Sequence, residues 1–161
     1  MITLLETLVE GADGAYASKQ DLRNLEHVMS SWSERKEAYL AIEANEKSII
    51  DRAITAIQND KIFSDTNRID PAMLERCCRD MTLTLRCYAL GMLLQDEEML
   101  KDRFIYWQKN ILQAMGLSNY QGARFVYESI CAELPNEQSK LFKPYFKVGQ
   151  EMIAAETSDL N

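Results

Sequence analysis

The residues with chemical potential cluster in "ERCCRDMTLTLRCYALGMLLQD", Glu75 to Asp96. Two adjacent thiols, Cys77 and Cys78, meet an Arg79-Asp80 pair at the start of an amphipathic pattern. On a helix, Cys77, Asp80, Met81, Thr84 and Tyr88 fall along one stripe at i+3 and i+4 steps, and Cys78, Leu85 and Met92 along another. A thiol flanked by Arg76 and Arg79 near a helix N-terminus is expected to have raised thiolate character. The set offers an attachment sulfur, a carboxylate acceptor and guanidinium donors. It lacks a base that would turn over a substrate, so it suits holding a ligand better than catalysis.

Other uses of the thiols are disfavoured. The four cysteines (Cys77, Cys78, Cys87, Cys131) form no C-x-x-C, and the one histidine, His27, lies far away in "NLEHVMSSW", which reads as a helix surface. Metal ligation needs Cys and His at ligand spacing, and no metal site is expected. The N-terminus has no basic n-region, so no secretory signal is read, an intracellular protein is expected and disulfides are not. Cys78, Cys87 and Cys131 are expected in the core, where free cysteine usually sits.

The whole chain narrows the classes further. Its 161 residues are read as one domain, 1–161, with 47% hydrophobic and 27% charged residues. No apolar run approaches the ~18 residues of a membrane span. The net charge of −7 argues against nucleic acid and against an anionic membrane surface. Without a nucleotide loop, metal cluster or acid–base pair, the chain is not read as an enzyme.

The elements that must position these residues are helices throughout. Three prolines, six glycines and no period-2 apolar run predict about seven or eight of them. "GADGAYAS" separates a short first helix from one starting at Ser18-x-x-Asp21 and running to about Met29. "SSWS" breaks the chain, and Ser33 is expected to cap a long helix reaching "QND". "DKIFSDTNRID" reads as the main loop, ending in an Asp70 cap before Pro71. The cysteine helix is expected to end near Gln95. Asp96 then caps a helix stopping at Met115-Gly116. A further helix starts at Ser118 or Asn119 and ends at about Glu133. After "LPNEQ" comes a last one, with Pro144 near its start or kinking it.

On these residues the chain resembles the phycobiliproteins, in particular the allophycocyanin-like subunits. That family's chromophore helix carries C-x-R-D-x-x-Y-Y-L-R-x-x-T-Y, then an apolar run and G-D. Cys77-Cys78-Arg79-Asp80 matches C-x-R-D, Leu85-Arg86 falls on L-R without a gap, and Asp96 takes the aspartate of G-D. "ADGAYASKQDL" is similar to the family's A-D-x-x-x-Y-x-S-x-x-E-L, and "EANEKSIIDRA" to a stretch of its long second helix. The tyrosine pair is here Leu83-Thr84, T-Y is Ala89-Leu90, the glycine of G-D is Gln95, and the glycine-rich segment before the helix is replaced by "DTNRID".

The resemblance implies an all-α, globin-like fold with two extra N-terminal helices that pair subunits. It implies a bilin, usually phycocyanobilin, attached by thioether to Cys77. Asp80 would accept hydrogen bonds from the central pyrrole N–H groups and Arg79 would pair with a propionate. Asn67 aligns with an asparagine of β-type subunits, and Thr84 replaces pocket bulk by a small polar group. Tyr88, Tyr106, Trp107, Tyr120 and Phe125 are candidate pocket walls. The implied role is a light-harvesting or light-sensing subunit that assembles with other phycobiliprotein subunits or linker proteins, at the thylakoid surface within a phycobilisome. The alternative is a chromophore-free interaction or regulatory module of the same fold, in antenna assembly or turnover. That alternative expects Cys77 packed under side chains and the pocket filled by Leu83, Leu90 or their neighbours.

Overall fold

The computed structural model describes residues 1–59, 71–114 and 122–154. Asn67 and Tyr120, and the expected starts at Asp70 and Ser118 or Asn119, lie outside the described residues. Helices α1 (Ile2–Ala12), α2 (Lys19–Ser30) and α3 (Trp32–Asn59) are followed by α4 (Pro71–Leu94) and a one-turn α5 (Glu97–Leu100). A π-helical turn, Lys101–Ile105, leads directly into α6 (Tyr106–Ala114). Helices α7 (Gly122–Glu133), α8 (Asn136–Lys140) and α9 (Lys143–Ala154) complete an all-α fold, with no strand among the described residues.

Local chemistry explains most boundaries. Ser18 and Asp21 form a capping box, each side chain serving the other's backbone N–H, which starts α2 where the sequence places it. The break before α3 falls at Ser31 rather than at an Ser33 cap, and Ser31 Oγ is held by Arg35 Nε at 3.1 Å. Pro144 sits in the first turn of α9 and does not kink it, because an N–H there would have no helical partner.

The end of α4 is a Schellman motif. Asp96 N donates to Gly91 O and Gln95 N to Met92 O, both at 3.1 Å, with Gln95 at φ +49°. That left-handed position is the one where the resembled family carries glycine. Glutamine there accepts a Cβ penalty that glycine avoids.

The core lies around α3, whose most extensive packing is against α7 and α4. Ile42, Ile49, Ile50 and Ile57 of α3 meet Met81, Leu85, Tyr88 and Met92 of α4 and Val126 and Ile130 of α7. Each such side chain contributes about 1.5–3 kcal/mol of apolar burial. Tyr88 is fully buried, stacked on Phe146 at 4.4 Å and edge-on to Phe104 at 6.0 Å. Its hydroxyl reaches α9 where Gly149 leaves room; a Cβ there would stand 1.7 Å from the oxygen.

The N-terminal pair contrasts with this core. Helix α1 buries no residue and α2 only Val28. Ile2, Leu5, Val9, Leu22 and Met29 remain exposed. The long helix answers with one buried cation: Arg35 donates to Val28 O near the end of α2 and to Leu93 O near the end of α4. Carbonyls in a last helical turn lack intrahelical donors, and a guanidinium meets both that need and the negative end of the dipole.

Candidate functional site

Helix α4 presents the candidate residues in order along its length. Cys77 is half-buried, Arg79 and Asp80 are exposed, and Thr84 is buried. Met81 and Tyr88, on the same stripe, are wholly within the core, as are Leu85 and Met92 of the neighbouring stripe. The two stripes adjoin and together form the inward face of α4. Only the first two turns of the Cys77 stripe reach the surface, so the thiol and the Asp80 carboxylate flank a margin of the core.

The expected thiolate character of Cys77 does not hold. Burial pushes the thiol above the usual cysteine range, and the nearby Asp80 and Cys78 push it the same way. Arg76 and Arg79 are exposed to solvent, where their charge is screened from the sulfur. Cys78 and Cys87 pack against the core as expected, whereas Cys131 is exposed on α7, a correction to the core placement read from sequence. His27 is exposed on α2.

Two turns beyond Cys77 the stripe becomes a polar relay. Thr84 Oγ1 donates to Asp80 O at 2.8 Å, and Gln108 Nε2 of α6 donates to Thr84 Oγ1 at 3.1 Å. Gln108 is only 8% exposed, and its Oε1 is buried without a hydrogen-bond partner. Gln108 was not singled out by sequence reasoning. The available signal was a glutamine at i−4 from Leu112 in an apolar helix stripe, which is weak. What turns it inward is the π turn before it, which no periodicity in the sequence announces.

The candidate walls divide. Phe125 is buried on α7, Tyr88 is a core residue, and Tyr106 and Trp107 are about half exposed, with Trp107 against Phe104 at 5.9 Å. Leu83 and Leu90 are each 40% exposed on the outer face of α4.

At the far end of α4, Asp96 caps α5 through Met99 N at 3.0 Å. It also accepts from Thr3 N and Thr3 Oγ1, both at 2.8 Å, tying α1 to this corner. Burial alone would raise its pKa, but these hydrogen bonds outweigh it and hold the carboxyl at about 2. Asp96 is thus an architectural residue in addition to the expected cap. On the opposite side of α4, Arg86 forms a forked pair with Glu46 of α3 at 2.6 and 2.7 Å, beside a cleft of about 240 Å³ that Tyr39, Glu43 and Ala89 also line.

No group of three or more His, Cys, Asp or Glu among the described residues could hold a metal ion. No helix among them is long and apolar enough to cross a membrane.

The chain is similar to known proteins. The β chain of phycocyanin-645 from Chroomonas sp is 28% identical over 135 residues, spanning 78% of this chain and 74% of that protein. A family model described as phycobilisome protein matches residues 8–152, which contain the whole of α4 and its relay. The chain therefore belongs to the phycobilisome protein family.

Proposed function

We propose that this light-harvesting phycobiliprotein carries an open-chain tetrapyrrole, a bilin of the phycocyanobilin type, attached to Cys77. The observation that carries the reading is the gradient along one side of α4. A half-buried thiol is followed by an exposed carboxylate and then by a buried threonine that holds the amide of Gln108 on α6, whose other end is unpaired. This donor set fits a bilin, which is apolar over its ring faces and polar at its N–H groups, lactam carbonyls and propionates.

In this reading Cys77 adds its thiol across an exocyclic double bond, its S–H dividing into a sulfur–carbon and a carbon–hydrogen bond. Asp80 accepts from pyrrole N–H groups, Arg79 pairs with a propionate, Thr84 borders the far rings, and Asn67 is a fifth contact. The bound group supplies the conjugated system that absorbs light. The protein's part is to keep that system extended, because a ligand held by a carboxylate and a packed wall cannot dissipate excitation by twisting. Burial pushes the thiol above the usual cysteine range, so unassisted attachment, which needs the thiolate, is expected to speed up as the pH rises.

The exposed apolar residues of α1 and α2 support assembly with other phycobiliprotein subunits through the N-terminal helices, at the thylakoid surface. Ile2, Leu5 and Val9 recur at i, i+3 and i+7 on a helix that buries nothing within its own chain. No catalysis is assigned.

Co-expression with a bilin-synthesis pathway tests the reading, with zinc-enhanced fluorescence of the denatured protein on a gel and Cys77→Ala alongside. A covalent signal lost in the variant is the expected result. A signal that survives in the variant moves the attachment to another cysteine. No signal, and no visible absorbance of the folded protein even with candidate lyases present, sinks the bilin reading in favour of a chromophore-free module.

A further inference from the structure

Among the described residues, Gln108 beside the Cys77 stripe and Tyr88 on it are each buried with a polar atom unpaired; the Tyr88 hydroxyl lies against Gly149 in the core, whereas Gln108 stands next to Thr84. Its amide is more than nine-tenths buried, one end bonds Thr84, and the other end meets no partner. Turning the amide over does not remove the difficulty. Oε1 would then face the Thr84 hydroxyl, whose own proton goes to Asp80 O, and Nε2 would become the orphan. Buried polar groups are almost always paired, so an orphan amide end calls for an explanation.

The local fold puts the amide there by design of the backbone. A π turn takes up one extra residue, so each residue after it faces where its predecessor would in an unbroken α-helix. Lys101–Ile105 is such a turn. It brings Gln108, in place of Trp107, against Thr84, and leaves Trp107 half exposed. π turns are concentrated at functional sites for this reason. Thr84 lies seven residues beyond Cys77 on the same side of α4, about 10 Å along the axis at helical rise. A four-ring ligand held at Cys77 and extended along α4 would have to span about that distance to meet the amide.

We propose that Gln108 is a ligand contact, and that the unpaired end of its amide hydrogen-bonds a polar edge of the bilin's distal rings. The inference rests on the bilin reading above. An amide suits this edge because it can accept from a ring N–H or donate to a lactam carbonyl. Thr84 acts as the positioning residue: it fixes the amide plane and is itself fixed by the Asp80 carbonyl. The consequence is specificity. The distal end of the chromophore is read by a side chain of α6, and changing it alters the electronics and planarity of the bound group without touching the attachment sulfur.

The test compares the full chain, loaded by co-expression, as wild type, Gln108→Leu and Gln108→Glu, with each apo form beside it. Two readouts are taken, the visible absorption maximum and the rise in Tm on loading. The expected result is that Gln108→Leu still attaches bilin at Cys77 but shifts or broadens the absorption band and loses at least half of the loading-induced rise in Tm. Its apo form unfolds at the wild-type temperature or above, because the orphan atom is gone. Gln108→Glu, of the same shape, shifts the band differently from Leu, which keeps the test open if the leucine variant folds poorly. Loaded variants with the wild-type band and the wild-type rise in Tm would overturn the Gln108 contact while leaving the bilin reading intact. A wild-type chain that takes up no chromophore overturns both.

Discussion

The two ends of α4 carry the same kinds of group and use them in opposite ways. At the C-terminal end every exposed backbone need is met from elsewhere in the fold. Arg35 takes the Leu93 carbonyl, Gln95 and Asp96 close a Schellman motif, and the Asp96 carboxylate collects Thr3 and Met99. In the N-terminal half a carboxylate stands in solvent and a thiol is half covered, and at mid-helix Thr84 holds a buried amide of α6 whose other end is unpaired. The difference teaches that Asp80 and Asp96, both aspartates of the family's motif, are separated by what the tertiary fold donates to them. One is consumed by architecture, and the other stands in solvent.

The largest effect that would break this contrast is at Arg35. Arg35→Ala leaves two helix-terminal carbonyls buried without a donor and should cost roughly 2–4 kcal/mol, read by urea or thermal unfolding. A smaller loss would mean that the end of α4 is not held as described. Asp96→Ala comes next, at roughly 1–3 kcal/mol, since it removes the α5 cap and the Thr3 anchor together.

The pH dependence of Asp96 sharpens the same point. Its folded pKa of about 2 lies below the ordinary 3.8, so its stabilisation is complete above about pH 4 and is lost as the pH falls towards 2. Asp96→Asn should flatten the stability profile in that window. A variant that keeps the wild-type acid slope would mean that Asp96 is not held by Thr3 and Met99 as described.

Gln95→Gly is expected to be stabilising by up to about 1 kcal/mol, since glycine meets no Cβ penalty at φ +49°. Smallest of all is Cys77→Ser in the apo protein. A half-buried thiol at the margin of the core should shift Tm by little more than a surface substitution does. A large loss there would make Cys77 a packing residue and weaken its assignment as an attachment point.

Much of this was legible from residue types alone. The capping pair Ser18 and Asp21, the Asp96 cap, and the span of α4 follow from local hydrogen-bond chemistry that needs no tertiary partner. The alignment of Cys77, Asp80 and Thr84 on one side of α4 follows from helical period, and the C-x-R-D spacing pointed to the family that comparison then gave. These are short-range properties, fixed by residues within a turn or two of one another.

What lay beyond reach were the quantities set by distant chain. The thiol was expected to be acidic because two arginines flank it in sequence, yet burial decided the sign, and burial is a property of the packed core. That Leu83 and Leu90 are each 40% exposed was likewise out of reach, because which side of α4 faces inward depends on α3 and α7. Cys131 read as core and is exposed for the same reason. Arg35, an ordinary charge on a helix of charges, becomes a buried clamp only when the ends of α2 and α4 converge on it. The sequence by itself determined the helices, their caps and the order of reactive groups along α4, since these depend on neighbours in the chain. Only the tertiary structure decided which of those groups are buried, which are paired, and where Gln108 completes the line. Desolvation and hydrogen-bond supply are fixed by residues that meet in space from opposite ends of the chain.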